Sequence, residues 1–223
     1  MRVVLLGATG MIGQGVLREC LAAPDVEAVL AIGRRPAGAA HPKLTDLVVP
    51  DLLDLAPHAA ALAGFDACFF CLGVSSAGMR EADYRRVTRD LTLAVAEALV
   101  RRSPRMTFVY VSGAGTDATE QGRAMWARVK GETENALRRV GFARVYLFRP
   151  GFIQPLHGIR SRTPLYRIVY ALAAPLFPVL NALFPGQLTT TERLGRAMLA
   201  VARHGAPDPV VEVRAINALA RVG

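Results

Sequence analysis

Lysine is almost missing from this chain: only Lys43 and Lys130 occur, against 25 arginines. Cysteine is sparse and odd in number, at positions 20, 68 and 71, which excludes a disulfide framework and points to a reducing compartment. Cys68 and Cys71 form a C-x-x-C within "DACFFCLG", which reads as a buried strand. Residues three apart on a strand face opposite ways, which argues against a redox pair or a metal site. His41, His58, His157 and His204 show no metal-ligand spacing and no pairing with a nucleophile. Basic residues never run to five in a row and no zinc-finger or RNP pattern occurs, so the net charge of +9 does not point to nucleic acid. The longest apolar run, Ile168–Leu180, has 13 residues and holds Pro175 and Pro178. A bilayer span takes roughly 20. A strand pattern begins at Arg2 with no signal peptide before it, and the expectation is a cytoplasmic protein.

At 52% apolar and 20% charged residues, the 223-residue chain reads as one globular domain with a full core. Apolar runs at 2–6, 26–32, 43–49, 66–72, 106–112 and 143–148 read as strands. Helical spacing separates them, most clearly from Val87 to Leu99 and over 120–140. That rhythm predicts an α/β fold: a Rossmann-type, doubly wound parallel sheet with helices on both faces. After Arg149 prolines become frequent. Residues 150–223 read as a small C-terminal substrate or lid elaboration within the single domain, with a helix after "TTTERLGRAMLAVA" and a strand over 209–213.

The first strand opens directly onto "GATGMIG", a G-x-x-G-x-x-G that leads into an amphipathic helix. In that context the glycines permit a sharp turn and close approach to a pyrophosphate, and the helix N-terminus supplies free N–H donors. The second strand ends in "GRR" rather than an acid. Arg34 and Arg35 suit the 2′-phosphate of NADP, which they can grip with charge-assisted bonds, and NADP is expected over NAD. Asp51, past the third strand, is placed either to meet the adenine amino group or to serve as an ordinary turn residue.

Together "GATGMIG", "GRR", "PDL", "CLG", "YVSGAG", "WARVKGETE" and "FRPGFI" resemble an atypical short-chain dehydrogenase/reductase. "LTTTERLGRAML" is similar to the small, NADP-binding, epimerase-like branch of that family. The resemblance implies that Gly7, Thr9, Gly10, Met11, Ile12 and Gly13 cradle the pyrophosphate, with Arg34 and Arg35 on the 2′-phosphate. It implies that Asp51 and Leu52 border the adenine and that Cys71, Leu72 and Gly73 pass under the cofactor. Ser112 and Lys130 match the catalytic serine and lysine, the lysine also holding the nicotinamide ribose. Pro150, Gly151 and Phe152 would line the nicotinamide end.

The position that should hold the family's tyrosine, four residues before Lys130, holds Trp126. An indole N–H donates a hydrogen bond but does not titrate near neutrality, so Trp126 cannot be the general acid. It can stack on a substrate or wall the pocket. Trp126, Val129, Thr133, Leu137 and Val140 form one helical stripe, with Arg128, Glu132, Asn135 and Arg138 on the outer face. Lys130 lies about 40° from Trp126 and so also points inward, where an ammonium needs a partner or a ligand. Tyr84, Tyr110 and a Ser112-held water remain as alternative proton donors. His157, just after the sixth strand, lies near a substrate position.

Two functions follow: an NADP-dependent oxidoreductase acting on a small carbonyl-type substrate, or a non-catalytic NADP-binding redox sensor. Sugar-nucleotide epimerisation is a weaker third, with only about 70 residues after the sixth strand to cover a nucleotide sugar. The apolar, proline-broken stretch 164–185 reads as a lid, a dimer interface or a peripheral membrane contact.

Overall fold

The strands carry uninterrupted apolar runs because a parallel sheet is buried on both faces. The computed structural model describes residues 1–159 and 187–222. Within them β1 (Arg2–Leu6), β2 (Ala28–Gly33), β3 (Leu44–Val48), β4 (Ala67–Phe70), β5 (Thr107–Val111) and β6 (Arg144–Arg149) are joined by helical crossovers, except for a loop between β2 and β3. A later strand, β9 (Val210–Glu212), completes a seven-stranded parallel sheet in the order β3-β2-β1-β4-β5-β6-β9. The order reverses between β1 and β4. In open sheets of this kind a ligand crevice forms at that switch point, outside the carboxyl ends of the strands.

Alternation along each strand builds two cores. Val3, Leu5 and Phe69 pack with α1 (Met11–Ala22) on one side, and Val4, Leu6, Cys68 and Phe70 face the other. Cys71 packs against the first core, so the two cysteines of the C-x-x-C do lie on opposite faces. The second core is covered by a 3₁₀ segment (Ala56–Leu62), α3 (Leu91–Val100) and α4 (Met125–Leu137). A short helix, α2 (Glu81–Arg85), runs through a π turn at Arg86–Asp90 into α3.

Residues 187–222, which the sequence places in the lid, supply core layers. Thr190 accepts a bond from the backbone N of Arg193 (3.0 Å) and caps α5 (Thr191–His204). α5 packs on α1 at closest approach through two glycines. A Cβ on Gly15 would lie 2.6 Å from Thr191 Cβ, and one on Gly195 would lie 2.8 Å from Glu19 Cγ. β9 and α6 (Val213–Leu219) finish the sheet edge. A two-stranded parallel pair, β7 (Phe152–Gln154) with β8 (Leu188–Thr190), ties the start of the C-terminal stretch to its return. The 164–185 stretch, read as a lid, a dimer interface or a peripheral membrane contact, lies wholly outside the described residues. Among the described residues no helix is long and apolar enough to cross a membrane.

Candidate functional site

β1 ends at Leu6 and the chain turns at Gly7, whose φ of +82° favours glycine. A Cβ there would also sit 2.7 Å from the Cys71 carbonyl carbon and the Leu72 nitrogen. The turn closes with Gly10 N donating to Gly7 O (2.9 Å), and Gln14 Nε2 pins the loop through Thr9 O (3.1 Å). α1 begins at Met11 with Gly10 as N-cap, no capping side chain and no acid in its first turn. Its first N–H groups and the positive end of its dipole are therefore left for an anion.

Around this loop opens a cleft of about 590 Å³. Gly7, Thr9, Gly10, Met11, Arg34, Arg35, Leu52, Cys71, Leu72 and Gly73 line it, as the motif resemblance implies. Ala8, Ala31, Ile32, Gly33, Ala37 and Val74 line it as well, unforeseen because they contribute mainly backbone and small apolar surface. Arg34 and Arg35 are exposed and have no ion-pair partner among the described residues. The glycine-lined cradle fits a pyrophosphate and the two guanidinium groups fit a further phosphate.

Other positions fall outside this lining. Gly13 packs the helix onto the loop: its Cβ would lie 2.0 Å from Gly7 O. Ile12 is half-buried and packs against the first core. Asp51 accepts from Leu53 N (2.9 Å) and is exposed, which is the turn role.

A second cluster stands at the carboxyl ends of β5 and β6. β4 pairs with β5 in the register Phe70↔Tyr110, so the cleft-lining Leu72 and Ser112 each follow the carboxyl end of one of two neighbouring strands. The Ser112 hydroxyl lies 2.5 Å from Glu134 Oε1 and 3.2 Å from Phe148 O, and Ser112 is buried. Glu134, 1% exposed, takes two guanidinium bonds from Arg149, one from Nε at 3.0 Å and one from Nη2. Arg149 also approaches Glu212 on β9 (3.6 Å). Lys130 Nζ donates to the Ser112 carbonyl oxygen. Burial brings the Lys130 ammonium down to about 8, against the opposing pull of Glu134. Trp126 is half-buried and leans on the loop after β5: a Cβ on Gly115 would lie 3.3 Å from its Cη2.

Glu134 and Arg149 escaped the sequence reading. The signal was present: Glu134 follows Lys130 by four residues and falls on the same inward stripe, where a carboxylate demands a cation. Arg128 and Glu132, expected on the outer face, instead tie α4 to α2: Arg128 bonds Glu81 (2.7 Å), and Glu132 takes two bonds from Arg85.

Tyr84 is 2% exposed, and burial raises its phenol above the ordinary range. Tyr110 is buried beneath the site and is raised further for the same reason. Neither touches the cleft. His157 sits at φ +56° and bonds Glu192 at the start of α5 (2.7 Å), away from the cleft lining. Pro150 O accepts from Ala114 N (2.8 Å), Gly151 abuts Gln187, and Phe152 is 72% exposed on β7, so this trio borders the loop after β5 but not the glycine cleft.

A parallel sheet in this order with a glycine cradle at its switch point defines a dinucleotide-binding Rossmann protein. The chain belongs to the NAD(P)H-binding family, whose model matches residues 7–154. It is 30% identical over 203 residues to Protein fmp52, mitochondrial, of Emericella nidulans, covering 87% of this chain and 84% of that protein. It is 32% identical over 154 residues to Protein HTATIP2 of Rattus norvegicus, covering 68% of this chain and 62% of that protein. Among solved structures, a UDP-N-acetylglucosamine 4-epimerase from Methanobrevibacter ruminantium matches with TM-score 0.69 at 16% identity, over 94% of this chain and 75% of that one. A short-chain dehydrogenase/reductase family oxidoreductase from Burkholderia thailandensis matches at 0.64 and 20%, over 94% and 88%. The Bordetella bronchiseptica enzyme WbmF, in complex with NAD+ and UDP, matches at 0.69 and 16%, over 95% and 71%. These likenesses establish the fold. The expectation of a cytoplasmic protein is corrected here, because the fungal relatives are named as mitochondrial proteins. Cysteine content reports the redox state of a compartment and does not identify it.

Proposed function

We propose that the protein binds NADP(H) and transfers hydride between it and a small carbonyl-type substrate. The observation that carries the reading is the pair Arg34 and Arg35, exposed on the wall of the cleft that the glycine loop opens, with no acidic partner among the described residues. An unneutralised guanidinium pair at that place suits the 2′-phosphate, where NAD would call for an acid. The Gly7–Gly10 turn and the N-terminus of α1 hold the pyrophosphate. The reduced nicotinamide supplies the hydride when bound. Ser112 and Lys130, past the carboxyl end of β5 and on α4, would meet the reacting end of such a cofactor, with Trp126 as a wall. Titration with NADPH and NADH, followed by turnover assays over quinones, aldehydes and flavins, tests the reading. Tighter binding of NADH than NADPH would overturn the cofactor assignment.

Trp126 supports a second reading, a non-catalytic protein that senses the NADP(H) redox state, because no tunable phenol stands four residues before Lys130. Tight NADPH binding with no turnover on any substrate would favour it. Loss of a measured turnover in Trp126→Ala, with folding and cofactor binding intact, would exclude it.

A further inference from the structure

Among the described residues the site lacks the group that would ordinarily deliver a proton, and its serine hydroxyl is committed. Trp126 offers an indole N–H that does not titrate in the working range. Ser112 has one hydroxyl proton, and Glu134 Oε1 stands 2.5 Å from its oxygen, with Phe148 O as the other acceptor among the described residues (3.2 Å). A carboxylate that close takes the proton in preference to a neutral carbonyl. Ser112 therefore presents an acceptor, not a donor, to anything bound beside it. Tyr84 and Tyr110 are buried, 2% exposed each, and burial raises both phenols away from the working range. His157 is held by Glu192 on another part of the surface.

Among the described residues one proton-bearing group is left past the end of β5, midway along α4. Lys130 carries three N–H bonds, and one of them goes to Ser112 O. No other protein acceptor for its ammonium occurs among the described residues. Those unspent donors sit beside the loop after β5, where a Cβ on Gly113 would lie 3.7 Å from Nζ. Glu134 is turned toward Ser112 and Arg149 and makes no bond to Nζ.

We infer that Lys130 is itself the proton donor of the proposed reduction, with Glu134 as the positioning residue that keeps Ser112 from taking that role. The inference rests on the hydride-transfer reading. As the carbonyl carbon gains hydride from the reduced nicotinamide, the carbon–oxygen π pair moves onto oxygen. One Nζ–H bond breaks and an O–H bond forms. The nicotinamide is oxidised, the carbonyl becomes an alcohol, and Lys130 is left as a neutral amine that regains its proton from water. The lowered ionisation of Lys130, about 8, suits a group that must give up a proton near neutrality.

With only two lysines in the chain, protein labelled with [13C]lysine gives two Cε signals, assigned by Lys43→Arg. The Lys130 signal should titrate near pH 8 in the free protein and shift when NADP+ is added. For carbonyl reduction, kcat should fall as pH rises through the same midpoint, because the donor is then deprotonated. Lys130→Arg keeps the charge and the hydrogen bonds but cannot release the proton. It should lower kcat at least 100-fold while NADPH affinity changes less than tenfold. Retention of kcat within threefold in Lys130→Arg, or a Lys130 midpoint in the ordinary lysine range near 10.4, would overturn the inference alone. Tight NADPH binding without turnover on any carbonyl would instead bring down the hydride-transfer reading, and this assignment with it.

Discussion

Glu134 and Arg149 form a buried ion pair at the carboxyl end of β6, with Arg149 Nε 3.0 Å from Glu134 Oε1 and the carboxylate 1% exposed. Removing one partner leaves an uncompensated buried charge, which costs about 3–5 kcal/mol. Arg149→Ala, which strands the 1%-exposed Glu134 carboxylate, should therefore lower unfolding free energy by about that amount, read from urea denaturation with an unchanged m-value. A loss under about 1 kcal/mol would show that the pair is hydrated and contributes as a surface bridge does.

Lys130 also ties stability to pH. Its ionisation lies at about 8 in the folded chain against an ordinary 10.5, so between those values the unfolded state holds more protons. Stability then rises with pH across that window. The cost of burying the ammonium is fully present below pH 8 and is relieved by pH 10.5, for a total of up to about 3 kcal/mol. Lys130→Met should be flatter than wild type over that window in denaturation measured at several pH values. Parallel curves for the two proteins would contradict the burial-driven shift.

Arg34 and Arg35 should act on one cofactor only. Charge-assisted bonds to a phosphate contribute about 1.5–3 kcal/mol each. Replacing both with alanine should weaken NADPH by at least tenfold and leave NADH within about threefold, by calorimetry or by quenching of the single tryptophan. Equal losses for both cofactors would show that the arginines shape the cleft without reading the 2′-phosphate.

Trp126→Tyr places a phenol four residues before Lys130. General acid catalysis by a positioned side chain is worth typically about 10²–10⁴ in rate. The variant should raise kcat for a small carbonyl substrate at least tenfold in steady-state assays. A fall in kcat with unchanged NADPH affinity would mean that the indole itself contacts the substrate.

Much of this was legible because parallel strands bury both faces and so write themselves as apolar runs, while the glycine loop stands between a strand and a helix where its meaning is physical. β7 and β8 were not legible: three residues are too few to show a period, and their pairing joins Phe152 to Leu188 across a long stretch of sequence. The setting of Ser112 was not legible for a related reason. Its motif names the residue, but its hydrogen-bond direction is set by Glu134, 22 positions away. Asp51 shows the limit of position alone, since its carboxylate turns back onto Leu53 N.

The small β7–β8 pair has a consequence for how such a chain can change. It fastens the departure of residues 155–187 at Gln154 to their return at Leu188. Insertions, deletions or a wholesale exchange between those two points leave the register of the seven-stranded sheet untouched. The sheet that frames the glycine cleft and the stretch between these two strands can thus change length independently of each other.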